Sequence, residues 1–203
     1  MPKEPKESAK KTSRLRQFNN ALSFVVICLS AYIVVLPLLP NITYKINKVT
    51  GNKPPLVIAN TPGTTQKTPP PAPAENTLVI PSINLQKTIY DGASIANLSK
   101  GVWHRPLTSS PDQGHNTVLV GHRFGYNGDG VFYHLDKVNT GDKIYVYWSG
   151  KKHTYTVTQK LVVKPTDTQV EAKTSKSILT MYTCTPLWTF SDRLVVIAEE
   201  EGA

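Results

Sequence analysis

The sequence predicts an all-β domain of seven to eight short strands, preceded by one transmembrane helix and a Pro-rich stalk. From residue 77 onward, short runs rich in β-branched and aromatic residues alternate with turn residues. This part of the chain lacks long helical periodicity, and residues 95–100 and 132–135 are expected to form single helical turns. Seven or eight strands in 127 residues favour a closed barrel or a sandwich.

The first predicted element is a membrane-spanning helix at residues 21–39. This segment has no charged residue and is long enough to cross a hydrocarbon layer of about 30 Å. The preceding residues 1–20 carry six Lys or Arg and two Glu, which places this tail in the cytoplasm and the rest of the chain outside. A cleaved signal peptide is the alternative, but no good cleavage site follows the segment, so we expect an uncleaved anchor.

Residues 40–76 are predicted to form an extracytoplasmic linker. Seven prolines lie between positions 53 and 75, with Thr and Gly among them. Such a composition buries too little apolar surface to fold, and the prolines keep the chain extended and semi-rigid. The linker is expected to hold residues 77–203, the folded domain, away from the membrane.

The strands of that domain are predicted from short β-rich runs. The run at 116–121 (Asn-Thr-Val-Leu-Val-Gly) contains a short apolar stretch, as in a buried strand. The run at 143–148 is followed by Ser149-Gly150, a turn that predicts a hairpin with residues 153–163. The other predicted strands lie at residues 77–81, 86–90, 177–183 and 193–198.

The charge distribution argues against a nucleic-acid partner. The formal net charge is +9, but residues 77–203 carry 13 Lys or Arg against 11 Asp or Glu. The basic excess lies in the tail before the helix and in the linker, where it serves membrane orientation and solvation. No His or Cys pair has the spacing of metal ligands, and we expect neither a metal nor a cofactor.

Cys184 and Arg193 are the first candidate site residues. Cys184 is predicted at the end of a strand, where a nucleophile is open to approach, and Arg193 opens the next strand. A nearby cation favours a thiolate or holds a developing oxyanion. The second cysteine, Cys28, lies in the apolar N-terminal segment, so Cys184 is expected to have no disulfide partner. A buried structural cysteine is the alternative interpretation, and Arg105 and Arg123 compete with Arg193 for the same role.

A cysteine nucleophile needs a proton donor and acceptor, for which histidine is suited. His122 follows the apolar strand at 116–121 and is therefore expected at a strand end, as is Cys184. His104 is its rival. The other histidines fit less well: His153 is expected on the surface of an alternating strand, His134 in a helical turn and His115 in a turn.

Three motifs occur in order along the chain: Val-Gly-His-Arg at 120–123, Thr-Met-Tyr-Thr-Cys at 180–184 and Asp-Arg-Leu-Val-Val at 192–196. Together they strongly resemble those of the sortase family, the membrane-anchored cysteine transpeptidases of bacterial cell envelopes. The family pattern Thr-Leu-x-Thr-Cys has Leu where this chain has Met181, a mild apolar replacement. The resemblance extends over residues 77–200 and implies a closed sortase-type barrel with His122, Cys184 and Arg193 as catalytic residues.

The resemblance also implies the reaction and its partners. Cys184 would cleave an LPxTG- or LAxTG-like sorting signal of a secreted protein through a thioester. An amine of a cell-wall precursor or a pilin Lys would then accept the protein. The stretch Cys-Thr-Pro-Leu-Trp at 184–188 is most similar to class E, with class D next. The alternatives are a cysteine peptidase that uses water, a pilin-polymerising sortase and a non-catalytic envelope-binding module on a stalk.

Overall fold

The computed structural model describes residues 6–35, 73–125 and 130–202, with side chains from residue 16 onward. The predicted linker at 40–76 lies outside this part of the chain except for residues 73–76. The N-terminal helix and the β domain belong to separate units of the chain, and each is described by itself.

The N-terminal unit contains one α-helix, α1, at Lys6–Val35. Its stretch Arg16–Val35 has a mean hydropathy of 2.0 and no buried residue. The Ser30 hydroxyl donates a hydrogen bond to the Val26 carbonyl (2.8 Å), so this polar group is satisfied within the helix. The predicted apolar helix is therefore confirmed up to residue 35, and residues 36–39 of the predicted span lie outside the described residues. Its length and composition suit an anchor or a signal sequence.

The β domain is a closed barrel of eight strands in the order β1-β2-β3-β4-β7-β8-β6-β5. The pairs β2–β3 and β4–β7 are parallel, and the other pairs are antiparallel, including the closing pair β1–β5. Of the two predicted architectures, the closed barrel is thus confirmed and the sandwich is not. The strands are β1 Thr77–Ile80, β2 Leu85–Tyr90, β3 Val102–His104, β4 Asn116–Val120, β5 Lys143–Trp148, β6 Lys151–Val163, β7 Ile178–Thr185 and β8 Asp192–Glu200.

The apolar run of β4 is buried on both faces. Leu119 belongs to the large cluster that fills the barrel, together with Leu179 and Met181 of β7. Val118 and Val120 belong to a second cluster with Trp103, against which Leu98 and Tyr182 pack. A central strand covered on both faces has no need of polar alternation, which explains the continuous run.

Two local predictions agree with the structure, and one strand was missed. Ser149 and Gly150 both have positive φ (49° and 78°), as a tight hairpin turn between β5 and β6 requires. A 3₁₀ turn covers Ile95–Ser99, and the second predicted turn lies slightly later, at Leu135–Lys137. The missed strand is β3, which has three residues and therefore no readable periodicity.

Candidate active site

Cys184 lies near the end of β7, which is flanked by β8, the strand that carries Arg193, and by β4, the strand that His122 follows. On one side, β8 runs antiparallel and places Arg193 opposite Cys184. On the other side, β4 runs parallel, with Val120 opposite Tyr182. His122 and Cys184 each come two residues after that pair, so they lie at the same end of these two strands. The structure therefore brings the three predicted residues together at the ends of three adjacent strands.

All three residues line one groove of about 310 Å³. Val120 and Tyr182, from the outer apolar cluster, form part of its lining. The 3₁₀ turn at Ile95–Ser99 and the segment between β6 and β7 contribute most of the rest. Much of this lining is apolar, from Ile95, Leu98, Trp103, Val120, Val163, Pro165 and Val170. Such a groove suits an extended peptide with apolar side chains.

The backbone around His122 is fixed from two directions. The buried Thr183 hydroxyl donates a hydrogen bond to the Gly121 carbonyl (2.8 Å), which ties the end of β7 to the end of β4. The Phe132 amide donates to the His122 carbonyl (3.0 Å). A Cβ atom on Gly121 would lie 2.6 Å from Val131 and 2.7 Å from Phe132, so only glycine fits there without displacement. These contacts set the position of His122 relative to Cys184.

The Arg193 guanidinium is oriented by backbone carbonyls. Its Nη1 donates to the Phe190 and Asp192 carbonyl oxygens at 3.2 and 3.0 Å. The Asp192 carboxylate pairs instead with Lys164 (2.6 Å). Hydrogen bonds from Lys164 and Ser191 and the nearby positive charges lower the pKa of Asp192. No ion pair within the described part of the chain involves Arg193, so its charge is available to a substrate.

Cys184 is a half-buried free thiol. A thiol, an imidazole and a guanidinium without an ion-pair partner among the described residues line the same groove, and together they have the parts for acyl transfer through a thioester. The residues 78–201, which contain this whole arrangement, match the Sortase domain family. The chain belongs to the sortase family.

The chain is also similar to individual named sortases. The chain is 32% identical to sortase D of Bacillus subtilis (strain 168) over 114 residues, which are 56% of this chain and 55% of that protein. Among solved structures, it resembles sortase C1 of GBS pilus island 1 (TM-score 0.59, 34% identity, 63% of this chain and 64% of that one). It also resembles a Clostridium perfringens sortase D5 transpeptidase (TM-score 0.57, 25% identity, 63% and 79%). The chain spans about half the length of the curated relatives it matches.

His104, the rival of His122, does not line the groove of this sortase. Its Nδ1 is 2.9 Å from the Asp91 carboxylate, and its Nε2 is 3.0 Å from the Ser109 carbonyl. The ring is buried and packs edge-on against Trp148 at 5.1 Å. Both ring nitrogens are thus engaged in structural contacts.

The expectation of a surface position for His153 is wrong. Its side chain is only 12% exposed, and its Nδ1 lies 2.7 Å from the Glu200 carboxylate, with Asp112 at 3.6 Å from Nε2. Polar and apolar residues alternate along this part of β6, but β8 and the turn at Pro111–Gln113 cover the position of His153. His115 contacts the Thr174 carbonyl (2.7 Å), and His134 precedes the turn at Leu135–Lys137.

The two rival arginines have partners of their own. Arg123 is 8% exposed and pairs with Asp136 (3.0 Å), and it is not among the residues that line the groove. Arg105 does line the groove, but its Nε lies 3.2 Å from both carboxylate oxygens of Glu171.

Tyr182 and Glu171 are groove residues that the sequence did not single out. Tyr182 precedes Cys184 by two positions on β7, so strand alternation places both on the same face, and this signal was available. Burial, together with a 2.6 Å hydrogen bond to the Glu171 carboxylate, raises the pKa of Tyr182. Glu171 lies in the segment between β6 and β7, and no local sequence pattern indicates its partners.

Proposed function

We propose that this sortase is a membrane-anchored cysteine transpeptidase that acts on an LPxTG- or LAxTG-like sorting signal. The proteins that carry such a signal would be transferred to an amine acceptor of the cell envelope. The observation that carries the proposal is the convergence of His122, Cys184 and Arg193 on one apolar groove at adjacent strand ends.

The first half of the reaction forms a thioester. The Cys184 thiolate attacks the carbonyl carbon of the Thr in the sorting signal, and the carbonyl oxygen becomes an oxyanion. Arg193 donates hydrogen bonds to this oxyanion from a guanidinium that backbone carbonyls already orient. The C–N bond then breaks, and His122 gives its proton to the departing amine of the Gly.

The second half reverses these roles. An acceptor amine attacks the thioester carbonyl, and His122 takes the proton that the amine loses. The C–S bond breaks and releases the Cys184 thiolate and a new amide. Since the thioester retains most of the free energy of the peptide bond, no nucleotide is consumed.

Class E membership is part of this proposal. It is supported by the stretch Cys-Thr-Pro-Leu-Trp at 184–188 and by Asp-Arg-Leu-Val-Val at 192–196. The relatives described above carry the names sortase D, C1 and D5. A cleavage assay with a library of sorting-signal peptides tests the class, because it reports the preferred residue at each position of the signal.

Residues 21–39, whose first part lies in helix α1, are proposed as an uncleaved signal anchor, with residues 1–20 in the cytoplasm. The apolar stretch Arg16–Val35 and the basic residues before it support this orientation. Residues 40–76 are proposed as the linker that carries the catalytic domain, residues 77–203, outside the membrane.

The acceptor distinguishes a transpeptidase from a peptidase. The full chain in detergent is incubated with a sorting-signal peptide, with and without a glycine oligomer or a Lys-containing peptide. A transpeptidase gives an amide of the added amine that increases with amine concentration at the expense of the hydrolysis product. Hydrolysis alone at every amine concentration would instead identify a cysteine peptidase.

A further inference from the structure

The Glu171 carboxylate joins three separate parts of the groove. Its Oε1 accepts a hydrogen bond from the Tyr182 hydroxyl (2.6 Å) on β7. Arg105, just after β3, donates from Nε to both carboxylate oxygens at 3.2 Å. Glu171 itself ends the 3₁₀ turn Thr168–Glu171 between β6 and β7. Residues that are 66 positions apart in sequence thus meet at one carboxylate.

These hydrogen bonds join a mostly buried carboxylate to an Arg105 side chain that is 40% exposed. The Glu171 side chain is 22% exposed, and the Arg105 guanidinium lies 5.5 Å from the centre of the Trp103 ring. The hydrogen bonds from Tyr182 and Arg105 all have a charged acceptor, and such bonds are roughly twice as strong as neutral ones. Burial and the hydrogen bond to the carboxylate raise the pKa of Tyr182, which favours the protonated hydroxyl that donates to Glu171.

The backbone on either side of Glu171 is held as well. The Asn116 side-chain amide donates to the Val170 and Ala172 carbonyl oxygens, both at 3.0 Å. The preceding residues Pro165, Asp167 and Thr168 are exposed, yet they line the groove beside Cys184. Glu171 is thus one of the attachments of this exposed segment, together with Asn116 and the pair between Lys164 and Asp192.

We propose that Glu171 is a positioning residue, which holds the segment between β6 and β7 against Arg105 and Tyr182 as a preformed wall of the peptide groove. The inference rests on the proposed function, since it assigns the groove to the donor peptide. Because the wall is already ordered before the peptide binds, the binding free energy is not reduced by the entropic cost of ordering it. Glu171 therefore affects the affinity for the peptide, whereas the reaction steps are carried out by His122, Cys184 and Arg193.

The test uses Glu171→Gln in the full chain in detergent. Glutamine keeps the size and an acceptor oxygen for Tyr182, but it removes the charge that Arg105 binds. The matched control is Glu199→Gln, which removes one carboxylate of a surface pair with Lys176 at the start of β7, away from the groove. We expect KM for a sorting-signal peptide to rise about three- to tenfold in Glu171→Gln, with kcat within about twofold. The control is expected to keep both constants.

A second readout does not depend on turnover. Hydrogen exchange of the backbone amides in residues 164–174 is measured in the absence of peptide. We expect faster exchange in Glu171→Gln than in the wild type and in Glu199→Gln, with exchange in β4, β7 and β8 unchanged. If the wild type fails to turn over peptides, the proposed function fails, but this exchange measurement still tests the wall.

Three results would overturn the proposal. One is an unchanged KM together with unchanged exchange in residues 164–174. Another is a loss of kcat alone, which would place Glu171 in the chemical step. The third is faster exchange throughout the barrel, which would make Glu171 a general determinant of stability.

Discussion

Cys184 and Arg193 lie directly opposite each other on the antiparallel strands β7 and β8. Cross-strand neighbours have Cβ atoms about 5 Å apart, which is a distance that a long arginine side chain easily spans. The register of two strands, rather than a flexible loop, thus fixes the distance between the proposed nucleophile and the proposed oxyanion donor.

Replacement of Arg193 by Lys tests this role. Lysine keeps the positive charge but loses the planar set of donors that the backbone carbonyls of Phe190 and Asp192 orient. We expect kcat/KM to fall by about 10² or more, as is typical for the loss of one oxyanion donor. A rate within about threefold of the wild type would reject the role and direct attention to Arg105, which also lines the groove. Thermal melts serve to check that the variant remains folded.

Replacement of His122 by Ala tests the proton transfers. The Cys184 thiol is expected to react with a small alkylating agent still, because it remains at the edge of the groove. Peptide turnover is expected to fall by about 10² or more, since a positioned acid–base contributes roughly that factor. His104→Ala is the comparison variant. Near-normal turnover by His122→Ala, with loss in His104→Ala, would reverse the assignment.

The sequence predicted the strands that carry the site because each has a strong local signal. The apolar run before His122 and the β-rich runs around Cys184 and Arg193 are long enough to read. The strand β3 has three residues, and nothing local marks it. The proposed wall of the groove includes a contact between Arg105 and Glu171, and no local pattern encodes a contact between residues 66 positions apart. His153 was misplaced for the same reason, because residues from distant elements cover it.

Replacement of Gly121 by Ala tests how tightly the His122 strand end is packed. The added methyl group would collide with Val131 and Phe132, so we expect a destabilisation of about 1–3 kcal/mol and a loss of turnover. Gly114→Ala is the control, because Gly114 has a positive φ of 70° but nothing within 4 Å of the added Cβ. That control is expected to cost only about 1 kcal/mol from backbone strain and to keep kcat. Equal effects of the two changes in denaturation and kinetics would contradict the packing account of His122.

The topology of the anchor is tested with protease on intact cells. If α1 is an uncleaved anchor with its basic end inside, protease digests residues beyond 40 and spares the first 20. Permeabilised cells serve as the control, in which the tail is digested too. Protection of the β domain in intact cells, or a mature chain that lacks α1, would contradict the proposed orientation or the proposed retention of the anchor.

Mass spectrometry of the intact chain after brief incubation with a sorting-signal peptide tests the covalent step at Cys184 most directly. We expect an adduct equal to the peptide through its Thr, located on Cys184 and released as an amide when an amine is added. Cys184→Ala is expected to form no adduct, although it remains folded and keeps the groove. An adduct on another residue, or turnover by Cys184→Ala, would contradict the proposed thioester mechanism.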